Sequence, residues 1–137
     1  MVVIIPAYQP DEKLVRVVHD LHEQSDYDII IVNDGSDQDR LPIFESLEPY
    51  AKVLTHDVNR GKGAALKTAL SYIYEQYPAD EGVVTIDADG QHLPSDVIRV
   101  SEAWEQAPEK LVLGSREFKG NVPFKSRAGN AITRCVF

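Results

Sequence analysis

An α/β fold, with a mostly parallel sheet and helices on both faces, is the class this chain predicts. Three observations lead there. Short apolar runs rich in β-branched residues recur along the sequence, as in strands buried on both faces. Stretches with apolar residues at helical spacing separate them. A polar cluster follows each run. Such alternation implies parallel strands joined by right-handed crossovers.

The elements follow in order. Val2-Val3-Ile4-Ile5 reads as a first strand, ended by Pro6-Ala7-Tyr8-Gln9-Pro10. Asp11 can cap the next helix, which carries Leu14, Val17, Val18 and Leu21 along one face. Ile29 to Val32 is a second strand, closed by Asn33-Asp34-Gly35-Ser36-Asp37. A helix is expected from Asp39 to Leu47, then a weaker strand from Ala51 to Thr55. The loop from His56 to Gly63 opens a long helix with Ala64, Ala65, Leu66, Ala69, Leu70, Ile73 and Tyr74 on its apolar face. Val83 to Ile86 is the fourth strand, and Pro94-Ser95-Asp96 starts a helix with Val97, Ile98, Val100, Ala103 and Trp104. Leu111 to Leu113 is expected as a fifth strand, and Glu117 to Phe137 is basic and irregular.

Every polar cluster follows a strand: Tyr8, Asn33 and Asp34, Asn59 and Arg60, Asp87 to Asp89, Ser115 and Arg116. In such a sheet all would line the carboxyl edge, where open α/β sheets bind ligands. The densest is Asp87-Ala88-Asp89-Gly90-Gln91-His92. Two hard carboxylates in a short turn suit Mg²⁺ or Mn²⁺, which keep positions open for water and substrate phosphates. An ordinary Asp-Gly turn is the alternative.

Composition narrows the class. The chain has 137 residues, 43% hydrophobic and 26% charged, enough for one domain with a core. Its net charge of -8 argues against nucleic acid as the main partner. An anionic ligand must then be held by a metal or a local basic cluster. The single cysteine, Cys135, permits no internal disulfide and fits a reducing, cytoplasmic compartment. No apolar run approaches the ~20 residues of a membrane span, and no signal peptide is evident. The chain reads as cut short after Phe137.

Other clusters carry open alternatives. Tyr8 can stack on a base or sugar, or simply end a strand. Asp34 can accept from a nucleobase N–H or a ribose hydroxyl, or it can belong to a turn in which Asp37 caps the next helix. Asn59-Arg60-Gly61-Lys62-Gly63 resembles a phosphate cradle, or is a solvated helix start. It has neither the Walker ending nor a Gly-x-Gly-x-x-Gly fingerprint. Arg116 and Arg127, with Lys119 and Lys125, can meet a diphosphate or form a solvated basic tail. His92 is a metal neighbour, an acceptor-side group or a surface residue.

The order Pro-Ala-Tyr, Asn-Asp-Gly-Ser-x-Asp, Asn-x-Gly-Lys-Gly, Asp-Ala-Asp-Gly-Gln-His and Gly-Ser-Arg resembles the family 2 glycosyltransferases of the GT-A fold. Within them it is most similar to the polyprenyl-phosphate (dolichyl-phosphate) hexosyltransferases. The resemblance runs from Val2 to about Asn130. It implies a Rossmann-like nucleotide-sugar-binding domain, a nucleoside-diphosphate hexose donor linked to UDP or GDP, and Mg²⁺ or Mn²⁺. It implies that Pro6, Ala7, Tyr8 and Asp34 contact the nucleoside and that Lys62 lies near base or phosphates. Asp87, Asp89 and Gln91 would serve the metal, and Arg116 and Arg127 the diphosphate, with Asp89 and Arg116 closest to the chemistry. A polyprenyl phosphate or a glycan would be the acceptor, and the full-length enzyme would work at the cytoplasmic face of a membrane.

Two departures stand out. Tyr8-Gln9-Pro10 occupies the place where relatives often carry Tyr-Asn-Glu, with Glu12 nearby as a partial substitute. Relatives also continue into an acceptor-binding segment, so residues 1–137 are expected to be the donor-binding part of a longer enzyme, with the base outside it. Rival readings fit less well. An Asp-x-Asp phosphatase places its pair after the first strand, and a sugar-nucleotide nucleotidyltransferase needs a Gly-rich loop there. A non-catalytic nucleotide-sugar binding module is the remaining alternative.

Overall fold

The computed structural model describes residues 1–112 and 114. Four strands, β1 (Val2–Ala7), β2 (Asp28–Asp34), β3 (Lys52–His56) and β4 (Val83–Thr85), form one sheet in the order β3-β2-β1-β4. Every pairing is parallel, with Ile4 opposite Ile30 on one side and Thr85 on the other. The helices are α1 (Glu12–Gln24), α2 (Leu41–Leu47), α3 (Lys62–Gln76) and α4 (Pro94–Glu105).

The continuous apolar runs of β1 and β2 are explained by burial on both faces, whereas β4, expected to be buried likewise, is only partly covered and exposes Thr85. Val3, Ile5, Ile29 and Ile31 point to one side and pack against Leu14, Val17, Val18 and Leu21 of α1, Phe44 and Leu47 of α2 and Val97 of α4. Val2, Ile4, Ile30 and Val32 point to the other, under Ala65, Ala69 and Ile73 of α3. Each fully buried Ile or Leu contributes about 1.5–3 kcal/mol by removal from water. Small residues on α3 let that helix lie close to the sheet.

This arrangement fixes where a ligand can enter. From β1 through β2 to β3 the chain steps outward, with α1 and α2 on one face. It then crosses through α3, on the opposite face, to place β4 on the far side of β1. The direction of strand addition reverses between β1 and β4, the switch point at whose carboxyl edge open α/β sheets offer a ligand crevice.

The first four expected strands and the expected helices are present with shifted ends. β1 extends through Pro6 to Ala7. Val2 N–H donates to Gly82 and Ile4 C=O accepts from Ile86, so even-numbered residues of β1 bond toward β4. Pro6, which has no N–H, falls where β4 has already left the ladder, and the strand loses nothing there. The single helix expected over 39–47 is a short 3₁₀ turn, Gln38–Arg40, followed by α2. Pro42 sits in the first turn of α2, where a missing donor is tolerated, so the helix starts anew there. Of the expected fifth strand, Leu111 and Val112 lie outside any strand and Leu113 is not among the described residues.

Candidate functional site

Asp34 ends β2 and is only 3% exposed. Three donors converge on its carboxylate. Oδ1 accepts from the Arg60 N–H at 2.9 Å and from His56 Nδ1 at 2.7 Å, and Oδ2 accepts from the Gly61 N–H at 2.8 Å. Burial alone would push this carboxyl upward, but the two backbone donors and His56 outweigh it, and its pKa lies below the usual carboxylate value. Asp34 is therefore ionised and can only accept, so His56 carries its proton on Nδ1. The other ring nitrogen, Nε2, shares a hydrogen bond with the Thr68 hydroxyl on α3 at 2.8 Å. Asp34 thus holds the 59–61 loop.

The loop lies directly on the turn after β2. Gly35 has φ +71°, and a Cβ there would come within 2.3 Å of the backbone at Val58 and Asn59. Only glycine allows that approach. Asn59 accepts the Gly61 N–H through its side chain at 3.0 Å, and Gly61, at φ +89°, turns the chain into α3. No side chain caps this helix. Its first turn and Lys62 therefore supply positive potential at the carboxyl edge of the sheet.

The Asp-x-Asp turn meets that positive end. Asp87 follows β4 and is paired with the Lys62 ammonium. Its N–H donates to His92 Nδ1 at 3.3 Å, which makes His92 part of the turn. Asp89 is exposed and accepts the Gln91 N–H at 2.9 Å. Asp87 is partly exposed and Gln91 exposed, so two carboxylates and an amide oxygen lie on one short turn beside the crevice. This all-oxygen set fits Mg²⁺ or Mn²⁺. Among the described residues no three His, Cys, Asp or Glu side chains gather to cage a metal. A cation here would draw further ligands from phosphates and water, as Mg²⁺ commonly does.

The end of β1 forms the other wall. Tyr8 is 55% exposed, Pro6 is half-buried, and Ala7 is buried in the core with only its backbone at the edge. Gln9 takes a left-handed backbone at φ +51°. Its N–H donates to Ser36 Oγ at 3.0 Å, and its side-chain oxygen accepts the Asp37 N–H at 3.4 Å. Gln9 therefore ties the β1 loop to the β2 loop. Asp37 makes no side-chain cap, whereas Asn33 accepts the Ser36 N–H at 2.9 Å and shapes the turn. Arg116 and Arg127 lie outside the described residues. Sequence reasoning missed His56 and Thr68; the one available signal was a polar ring at the end of a strand, just before the loop.

Comparison with known proteins agrees with this architecture. The pattern described as glycosyl transferase family 2 matches residues 2–134. A UDP-N-acetylglucosamine–dolichyl-phosphate N-acetylglucosaminyltransferase of Methanococcus voltae is 35% identical, over 93% of this chain and 57% of that protein. An undecaprenyl-phosphate 4-deoxy-4-formamido-L-arabinose transferase of Sodalis glossinidius is 28% identical, over 98% of this chain and 42% of that protein. The chain thus spans about half the length of these relatives. In fold it is similar to S. aureus TarS 1-349, with TM-score 0.57 and 21% identity over 77% of this chain and 32% of that one. It is also similar to 4-diphosphocytidyl-2C-methyl-D-erythritol synthase, with TM-score 0.64 and 16% identity over 79% of this chain and 55% of that one. With the parallel sheet, the crevice at its switch point and the pattern match along nearly its whole length, the chain belongs to glycosyl transferase family 2.

Proposed function

We propose that residues 1–137 form the donor-binding part of an enzyme that transfers a hexose from a UDP- or GDP-linked sugar, with Mg²⁺ or Mn²⁺, to a polyprenyl phosphate or a glycan. The observation that carries this reading is the meeting of Asp87 with Lys62 at the start of α3, beside the crevice between β1 and β4. An acidic pair next to a helix N-terminus and a lysine suits a diphosphate bridged by a divalent cation. The names of the relatives support a nucleotide-sugar donor and a polyprenyl-type phosphate acceptor.

In this reading Tyr8 and Pro6 flank the nucleoside, and the Ala7 backbone contributes at the strand end. Asp34 acts on the nucleoside side by fixing the 59–61 loop. Lys62 leaves Asp87 for the donor phosphates once the donor arrives. Asp87, Asp89 and Gln91 would hold the cation, which supplies positive charge where the diphosphate leaving group becomes negative. Arg116 and Arg127 would add bidentate contacts to the same group. An acceptor phosphate is already anionic and attacks the anomeric carbon with little help, whereas a glycan hydroxyl needs a carboxylate base. That base is expected in the acceptor-binding segment, and the enzyme is expected to act at the cytoplasmic face of a membrane. No helix among the described residues is long and apolar enough to cross one.

Calorimetric titration with UDP, GDP and their hexose conjugates, with and without Mn²⁺, tests the reading. Metal-dependent binding of one nucleotide, abolished in Asp89→Ala, is the expected result. Failure of every nucleotide to bind a full-length protein would refute it. Binding without transfer to any polyprenyl phosphate or glycan would identify a binding module instead.

A further inference from the structure

We propose that His56 is a positioning residue that sets the loop 59–61 for donor binding, with Thr68 holding its ring. The inference rests on the reading of that loop as part of the nucleotide-sugar site. Three independent elements meet at this ring. His56 closes β3, its Nδ1–H reaches Asp34 at the end of β2, and its Nε2 is hydrogen-bonded to the Thr68 hydroxyl on the second turn of α3.

The arrangement is rigid because every polar atom in it has a partner. The His56 and Asp34 side chains are 6% and 4% exposed. The Asp34 oxygen that takes the His56 proton also takes the Arg60 N–H, while its other oxygen takes the Gly61 N–H. The carboxylate can rotate only by giving up one of these bonds, so the ring fixes the plane in which both amides are held. Those amides lead directly into Lys62 and the start of α3. A shift in the carboxylate therefore moves the lysine and the helix start together, the two features that would face the donor's phosphates.

A residue that only fills core volume would behave differently. Apolar replacement of the ring would lower thermal stability and leave loop geometry alone. A positioning residue instead transmits its loss to the amides of Arg60 and Gly61 and to ligand affinity.

The test uses the full-length protein and three variants. His56→Phe keeps the ring and removes both nitrogen contacts. His56→Asn restores an N–H donor near the Nδ1 position. Thr68→Val, at a half-buried site, removes the hold on Nε2 and keeps the fold. Binding of the nucleoside diphosphate with Mn²⁺ is titrated well below each variant's melting temperature, and amide exchange is followed at Arg60 and Gly61. His56→Phe should weaken binding about tenfold, the loss of one charge-assisted hydrogen bond, and speed exchange at both amides. Thr68→Val should weaken it about threefold, and His56→Asn should recover most of the loss. A lower melting temperature with unchanged affinity and unchanged exchange would overturn the inference. If the wild-type protein binds no nucleoside diphosphate, the reading of the site fails, and exchange at Arg60 and Gly61 alone decides whether His56 sets the loop.

Discussion

Replacing Asp34 by Asn tests the physical core of this site. The substitution keeps the shape and removes the charge. Three donors now point at the carboxylate: the Arg60 and Gly61 amides and His56 Nδ1–H. An amide side chain offers one oxygen, so in either orientation at least one donor faces an NH₂ group. Hydrogen bonds to a charged group are worth roughly 1.5–3 kcal/mol each, and an unsatisfied buried donor costs about 1–3 kcal/mol. The loop amides lie nearer the surface than Asp34 and can recover water, so the net loss is about 2–4 kcal/mol. The sign of its pH dependence follows from the depressed pKa of Asp34. The ionised form is favoured in the folded state, so its stabilisation is fully present above the unfolded value of about 3.9. It is lost as pH falls through the lower folded value. Urea unfolding of both proteins at neutral pH and in steps toward about pH 2 measures this difference. The gap should be about 2–4 kcal/mol at neutral pH and should narrow in strong acid. A gap under about 0.5 kcal/mol at neutral pH, or one that does not change on acidification, would refute the account of Asp34 as a charged anchor.

Other perturbations separate scaffold from site. Gly35→Ala sets a methyl group against the Val58 and Asn59 backbone at a positive φ, and should cost about 2–4 kcal/mol in chemical denaturation, or displace the loop. Ile31→Ala leaves a cavity in the packed face beneath α1 and should cost about 2–5 kcal/mol by the same assay. Lys62→Met breaks only an exposed pair, so thermal unfolding should hardly change, while calorimetry should show weaker diphosphate binding. Adding a chelator to a nucleotide complex of the wild-type protein should release the nucleotide, read by equilibrium dialysis.

The strands and the main helices were legible because their residues repeat a simple physical demand. Val2 to Ile5 and Ile29 to Val32 are apolar at every position, and only a strand covered on both faces buries such a run. Leu14, Val17, Val18 and Leu21 mark α1 equally clearly, and Asp11 caps it by accepting the Lys13 N–H as expected. The convergence of polar clusters at one edge follows from parallel topology, and the structure brings Asp34, Arg60, Lys62 and Asp87 together there. What could not be read was direction. Asp34 and Asp87 both lie at the carboxyl ends of strands, yet the first turns inward to two amides and an imidazole, while the second stays partly exposed beside Lys62. The contacts responsible come from residues more than twenty positions away, which no local pattern encodes. The strand expected at 111–113 rests on three apolar residues alone, and Leu111 and Val112 lie outside any strand.

The two kinds of aspartate solve one electrostatic problem. The chain carries a net charge of -8, and its proposed donor is also anionic. Bulk potential therefore opposes binding, and local charge must reverse it. Asp34 is an anion at the edge of the site, but three donors and burial spend its charge internally, so it presents little field to a ligand. What it gains by this is the placement of a cationic segment: Arg60, Lys62 and the amino end of α3 are held where the loop would otherwise be free to drift toward solvent. Asp87 and Asp89 do the opposite. They stay near water, and the partner of Asp87 is an exposed lysine. A divalent cation could replace that lysine at Asp87 at modest cost, because exposed pairs are weak. Lys62 would then join the donor side, where it and the cation held by Asp87 would together offset the charge of the diphosphate.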